Sequence, residues 1–358
     1  MRRTRHLNAD AAGIAEAAAL LAGGGLVAFP TETVYGLGAD ARNAAAIAAL
    51  YAAKGRPARN PLIVHVPDLA AAGRLALVGA IARSLADRFW PGPLTLVLPL
   101  RADAGLAPAV TPGLAPAVTP GPVPILAEGH ATVGLRVPAV DIARAMIVAA
   151  DCPVAAPSAN PSGRVSPTTA AHVLDPETGL GGKIDAVLDA GPCVVGVEST
   201  ILAVEEVAGQ VRLLRPGGLA VEDLAAALSA MPRRPRFDLT AAEDEMAGDA
   251  VLAAPGLMES HYASAARLRL EAMAPMAGEA WLGFGPDPAE AIAAPVRDTL
   301  SAAGDVAEAA ARLFAVLRRV DAAMQHDGVI AVAPVPAVGL GRAVRDRLAR
   351  AAAPRPGT

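Results

Sequence analysis

The spacing of apolar and polar positions changes repeatedly along the chain, and each change marks a candidate element. AAGIAEAAALLA (11–22), with Asp10 or Asn8 as its cap, has helical spacing, and Gly23–Gly25 stops it. The apolar run Leu26–Phe29 predicts a strand, and the glycines of Gly36-Leu-Gly38 read as a turn beyond it. Asn43 caps an Ala-rich helix that delivers Lys54 at its C-terminal end, and Leu62–Val66 predicts the next strand. A helix over Ile81–Phe89 is closed by Trp90-Pro-Gly-Pro, after which LTLVL (94–98) and TVGLRV (132–137) read as buried strands. Pro153–Ala156 and Ala186–Leu188 predict short strands, Thr168–Leu174 a short helix, and Thr200–Val204 with Val211–Leu214 a hairpin. Leu219–Leu228 predicts the last helix of this part. Such alternation implies an α/β fold, a twisted mixed sheet with helices packed on it, over residues 1–230.

Periodicity then lapses. Residues 231–266 read as a long linker, and a segment of that length without elements of its own is usually functional or disordered. Periodicity returns in 267–358, where Trp281–Phe284, a helix around Val306–Val320, Val329–Val332 and a helix over Arg342–Ala352 predict a small α/β domain. One irregularity lies in the first part. GLAPAVTP (105–112) is repeated without change at 113–120, too short for a solenoid unit and too rich in Pro for anything but an extended surface loop.

Composition narrows the chemistry. The 358 residues suit two domains, and 53% hydrophobic content fits globular ones. A net charge of −4 gives no global field for nucleic acid, and 3% aromatics leave few stacking platforms for single strands. Cys152 and Cys193 form no CxxC pair, and the six histidines show no metal spacing, so neither a disulfide framework nor a zinc site is expected. A reducing cytoplasm is the expected compartment, and no membrane-spanning stretch is expected.

Several nucleotide and nucleophile fingerprints fail. Gly179-Leu-Gly-Gly-Lys183 lacks the Walker spacing, Gly36-Leu-Gly38 lacks the third dinucleotide glycine, and no Gly-x-Ser-x-Gly elbow surrounds Ser158 or Ser162. Cys152 reads as buried rather than nucleophilic. What remains is a set of loops at strand ends. PTET (30–33) groups two hydroxyls and a carboxylate, Lys54-Gly-Arg56 sets two cations about a flexible joint, and Arg59 adds a third cation within six residues. Three cations between a helix and a strand suit a polyanion. Ser158 and Asn160 project from one side of extended backbone, His65 interrupts an apolar strand, and Arg136 and Arg215 stand at strand ends.

In this order, the segments FPTETVYGLG, KGRPARNPLIVHV, WPGPLTLVL, TVGLRVP, APSAN, VEST and LRPGG closely resemble the YrdC-like threonylcarbamoyl-AMP synthase family. Pro255-Gly256, Ser260-His261-Tyr262-Ala263 and GLGRAVRDRLARAA (339–352) resemble the linker and small Rossmann-like domain of its long, two-domain form. The resemblance implies a nucleotidyltransferase that joins L-threonine, bicarbonate and ATP into threonylcarbamoyl-AMP and pyrophosphate, with Mg²⁺ on the phosphates. It also implies downstream machinery that passes the product to tRNA. The family's ATP contacts fall on Lys54, Arg56, Asn60, Thr132, Ser158, Asn160, Ser166, Arg215 and Tyr262, with Lys54 and Arg56 as the catalytic cations. Its threonine contacts fall on Thr33, His65, Arg136, Ala156 and Ser199, Arg136 pairing with the amino-acid carboxylate. Tyr262 belongs to the linker, so that segment is expected to fold over the pocket as a lid. The competing expectation is a module that holds double-stranded RNA, weakly, on a concave cationic face.

Overall fold

The computed structural model describes residues 3–57, 60–107, 131–239, 261–324 and 328–354, and its elements form two sheets. The larger is built from β1 (Arg5–Asn8), β2 (Val27–Phe29), β3 (Gly36–Asp40), β4 (Ile63–His65), β5 (Leu94–Pro99), β6 (Thr132–Arg136), β7 (Val154–Ala155), β8 (Ala186–Asp189), β9 (Thr200–Glu205), β10 (Gln210–Arg215) and β11 (Arg236–Asp238). Their order across the sheet is β1-β8-β2-β3-β7-β4-β6-β5-β9-β10-β11, with parallel and antiparallel neighbours mixed as expected.

Helices flank this sheet, five of them where the pattern placed them and two, Leu69–Leu75 and Asp141–Ala150, where no helix was expected. α1 (Ala11–Ala22) starts on Asp10, whose carboxylate accepts the Gly13 N–H, and α2 (Ala44–Lys54) starts on Asn43, whose Oδ1 accepts from Ala45 and Ala46. Gly55 ends α2 in the left-handed region at φ 59°, which turns the chain sharply after Lys54. α3 (Leu69–Leu75), α4 (Ala80–Phe89), α5 (Asp141–Ala150), α6 (Ala170–Leu174) and α7 (Val221–Ser229) complete the layer.

Two segments differ from the expectation. Gly36-Leu-Gly38 is not a turn but the start of β3, paired antiparallel with β2. A Cβ on Gly38 would lie 2.9 Å from Val154 Cγ1 and 3.0 Å from Phe29, so these glycines are there for close packing across the sheet. Part of the segment read as linker also joins the sheet: β11 extends it beyond β10 as a short parallel edge strand. A three-residue strand is too brief to leave a periodic signal. The GLAPAVTP repeat falls mainly in 108–130, and most of the linker in 240–260, both outside the described residues.

The second sheet is all parallel among the described residues, in the order β12 (Arg267–Arg269), β15 (Val329–Val332), β13 (Ala280–Phe284), β14 (Arg297–Ser301). α8 (Val306–Ala323) packs over β13 and β14, while α9 (Gly341–Ala352) packs on β12 and α8. Its core does not stop at its own boundary: Leu313, Phe314 and Leu317 share one apolar cluster with Val34, Val165 and Val197 of the larger unit, and with Tyr262. No helix among the described residues is long and apolar enough to cross a membrane.

Candidate active site

The β2–β3 connection shapes the first wall of a cavity. Thr31 accepts the N–H groups of Thr33 and Val34 (3.2 Å each) and donates to the Val34 carbonyl at 2.7 Å, so its hydroxyl winds the loop into a tight turn. The Thr33 hydroxyl lies 2.8 Å from that of Thr31, fully buried. Glu32 turns the opposite way. It accepts from Arg136 Nη2 at 2.6 Å and from the Ala139 N–H at 2.9 Å. Because β4 and β6 are parallel with His65 opposite Arg136, both side chains arrive at the same sheet end. Burial and the Arg136 charge push the His65 imidazole down to about 3, so it is neutral at ordinary pH.

The opposite wall is cationic. Arg56 donates to the Pro61 carbonyl at 2.7 Å and the Asn60 carbonyl at 3.2 Å; burial pulls its guanidinium down to about 10. Arg215 donates to the Ser199 carbonyl at 2.9 Å and the Ser199 hydroxyl at 3.3 Å; burial and the Arg347 charge pull it to about 10 as well. Lys54, almost fully buried, donates to the Ser158 carbonyl at 2.5 Å and to that of Asn160. Burial first, and then the Arg56 charge, hold its ammonium well below the usual lysine range.

The expected site residues therefore converge unequally. Thr33, Arg56, His65, Arg136, Ala156, Ser158, Ser199, Arg215 and Tyr262 all line one cavity of about 540 Å³, open mouth included. Lys54 and Asn160 stand behind Ser158, holding the loop that carries it. Ser166 stands behind Glu198, donating to it at 2.6 Å. Asn60 is fully buried with neither atom of its side-chain amide bonded, and Asn160 Oδ1 and His261 Nδ1 are likewise unpartnered. Thr132 is not brought to the cavity: it opens β6 at the end away from Arg136, roughly 13 Å along the strand. Arg59 lies outside the described residues.

The roof comes from the segment after the undescribed linker. His261 and Tyr262 line the cavity; Tyr262 takes a left-handed φ of 62° and stacks on Phe314 of α8 at 5.3 Å between centroids. Burial, with the Arg56 and Lys54 charges, pushes the His261 imidazole down to about 3. Two participants were not singled out from the sequence: Glu198, inside VEST, and Arg347 of α9. A signal for Arg347 was present, since it falls in the apolar stripe Ala343, Val344, Leu348, Ala351, where a charge needs a buried partner. Cys152 and Cys193 are buried, and burial pushes both thiols up to about 12, which fits inert packing rather than nucleophilic use.

This assembly, an anion-seeking wall facing a hydroxyl-rich one beneath a roof from the segment that leads into a second α/β unit, matches known proteins. The chain belongs to the Sua5–YciO–YrdC family: residues 19–217 match that family's model, described as telomere recombination. Residues 219–353 match a second model, described as the threonylcarbamoyl-AMP synthase C-terminal domain. It is 41% identical over 268 residues to the threonylcarbamoyl-AMP synthase of Bacillus subtilis, covering 75% of this chain and 69% of that one. It is 39% identical to that of Schizosaccharomyces pombe, covering 68% of this chain and 60% of that one. The chain thus spans about two thirds of the length of such curated relatives. Among solved structures, Pyrococcus abyssi Sua5 complexed with L-threonine superposes with a TM-score of 0.79 at 34% identity, over 98% of both chains. A variant of that protein with alanine replacing an adjacent His and Tyr superposes with a TM-score of 0.78 at the same identity, over 98% of this chain and 96% of that one. The two-unit α/β architecture expected from the sequence is therefore shown.

Proposed function

We propose that this chain is an L-threonylcarbamoyladenylate synthase, a nucleotidyltransferase acting on L-threonine, bicarbonate and ATP. The observation that carries the reading is the two-sided cavity: a hydroxyl-rich wall with Arg136 and neutral His65, facing Arg56, Arg215 and the loop held by Lys54. The names of the similar synthases and the threonine complex of Sua5 support it.

In this reading the threonine amine takes up bicarbonate to form a carbamate with loss of water. A carbamate oxygen then attacks the α-phosphorus, and pyrophosphate leaves. No protein nucleophile is required, so catalysis is positioning and charge stabilisation. Arg136 receives the amino-acid carboxylate, and Glu32 holds its guanidinium in place. Thr33, Ser199 and the backbone at Ala156 orient the amino acid, while His65, being neutral, leaves the amine unopposed by a second cation. Arg56 and Arg215 present guanidinium forks to the phosphates. Lys54 either keeps the Ser158–Asn160 loop in shape or exchanges its two carbonyls for phosphate oxygens, and in both roles it is needed. The unpaired amide of Asn60 and the unpaired Oδ1 of Asn160 suit the polar edges of a nucleotide.

The donor set fits a divalent cation that arrives on the nucleotide rather than one held by the protein. Glu32 and Glu198 are each bound to a guanidinium, and among the described residues no group of three His, Cys, Asp or Glu side chains could hold a metal. Bound to phosphate oxygens, Mg²⁺ would offset charge on the departing pyrophosphate. Transfer of the product to tRNA would need separate machinery. The decisive measurement is pyrophosphate release with mass-spectrometric detection of threonylcarbamoyl-AMP. It should require ATP, bicarbonate and threonine together, and release that ignores either threonine or bicarbonate would refute the assignment.

A further inference from the structure

Arg347 lies on α9, in the second unit, yet it touches two residues that line the cavity, Glu198 and Tyr262. It is fully buried. Its Nε donates to Glu198 at 2.7 Å, its Nη2 to the Pro216 carbonyl at 3.0 Å, and its Nη1 meets its neighbour Asp346. Its guanidinium carbon stands 5.6 Å from the Tyr262 ring centroid, a cation–π geometry. Asp346, which orients Arg347, is itself held by Arg350 at 3.0 Å, and the Arg350 carbonyl accepts the His261 N–H at 3.2 Å. One turn of α9 thus grips Glu198 on one side and the His261-Tyr262 roof on the other.

Glu198 is the group on which this acts. It lines the cavity, accepts from Ser166 at 2.6 Å, and shares its surroundings with Arg215. We propose that Arg347 is a positioning residue: it fixes the Glu198 carboxylate, and through it Ser166 and Arg215, so that the nucleotide side of the site is complete only while the C-terminal unit is docked. This rests on the reading of the cavity given above.

The electrostatics agree with the geometry. Burial alone would raise the Glu198 carboxyl, but the charges of Arg347 and Arg215 and the hydrogen bonds from Ser166 and Arg347 bring it down to about 2. Arg347, Arg215, Asp346, His261 and Tyr262 are the titratable groups around it. Ionised, Glu198 can only accept, so Ser166 must donate to it and keeps its lone pairs for a ligand donor. Protonated, it would compete for those lone pairs.

The test uses the full chain with Arg347→Lys, Arg347→Met and the double variant Arg347→Met, Glu198→Gln. Arg347→Met should raise the KM for ATP by about tenfold or more while leaving that for threonine within about twofold, because Arg136 keeps its own partner. The acid limb of its pH profile should move upward as Glu198 loses a cation. Arg347→Lys should restore the acid limb with partial recovery of the ATP KM, since it keeps the charge without the fork. The double variant should melt above Arg347→Met, having no orphaned carboxylate, and still bind ATP weakly. A folded Arg347→Met with wild-type ATP KM and acid limb would overturn the proposal, as would ATP and threonine KM values rising together with the limb unmoved. If Arg347→Met does not fold, wild-type ATP affinity in the double variant overturns it. ATP affinity measured by calorimetry keeps the two readings separable. A wild type that binds ATP but forms no threonylcarbamoyl-AMP sinks the functional assignment and leaves the Arg347 test standing.

Discussion

The two ends of the cavity are built on opposite electrostatic plans. Where Arg136 stands, charge is neutralised internally: Arg136 meets Glu32, the Thr31, Thr33, Thr95 and Ser199 hydroxyls bond in pairs, and His65 Nδ1 is the exception without a partner. Where Lys54 and Arg56 stand, the cations meet carbonyl oxygens and, among the described residues, no carboxylate, and the side chains of Asn60, Asn160 and His261 carry unbonded buried atoms. Buried polar groups without partners cost about 1–3 kcal/mol each, so the second end is held at a disadvantage that a polyanion with donors and acceptors would relieve. One end is finished before a ligand arrives; the other is completed by it.

The largest effect that would sharpen this contrast is at the finished end. Arg136→Ala should strand Glu32 as an unpaired buried carboxylate and cost about 3–5 kcal/mol in urea denaturation, with Arg136→Ala, Glu32→Ala recovering most of it. At the unfinished end, Lys54→Ala or Arg56→Ala should lower kcat/KM for pyrophosphate release by roughly 2–4 kcal/mol each in transition-state terms. Equal losses of stability in the two sets of variants would break the comparison. Next comes the base on which both ends rest: Gly38→Ala should destabilise by about 1–3 kcal/mol in thermal melts, its Cβ meeting Val154 and Phe29. Smallest is the cap of the helix that delivers Lys54. Asn43→Ala should cost about 1 kcal/mol and weaken ATP binding more than threonine binding, read by calorimetry.

Acidity acts on both ends in one direction. His65 and His261 titrate near 3 in the folded protein against an ordinary 6.5, so between those values the unfolded chain binds protons that the folded chain refuses. Glu198, near 2 against 4.5, contributes stability above its ordinary value and loses it as the pH falls towards 2. The melting temperature should therefore fall steadily from pH 6.5 to 4, and His65→Asn should flatten part of that slope. A flat melting profile across that interval would contradict the buried, neutral state of the imidazoles.

Much of this was legible in one dimension because local rules governed it. The caps at Asp10 and Asn43, the stop at Gly23 and the buried runs around Leu96 and Leu202 follow from side-chain chemistry within a few residues, and they set both the α/β class and where Lys54 emerges. The short strands β1, β11, β12 and β14 left no trace, since three to five residues with charged ends carry no measurable period. Gly36-Leu-Gly38 misled for a related reason: glycine marks turns locally, whereas here it answers to Phe29 and Val154 across the sheet.

By itself, then, the order of residues determined the class of fold, the family and the identity of most cavity-lining side chains, because those depend on periodicity and on short segments that keep their meaning out of context. Which charges would be paired and which left waiting was decided by tertiary structure alone. The separations tell why. Glu32 finds Arg136, and Glu198 finds Arg347, across more than a hundred residues of chain. The lowered pKa values of Lys54 and His261 arise from burial that no local pattern encodes, so the electrostatic character of the site exists only in the folded chain.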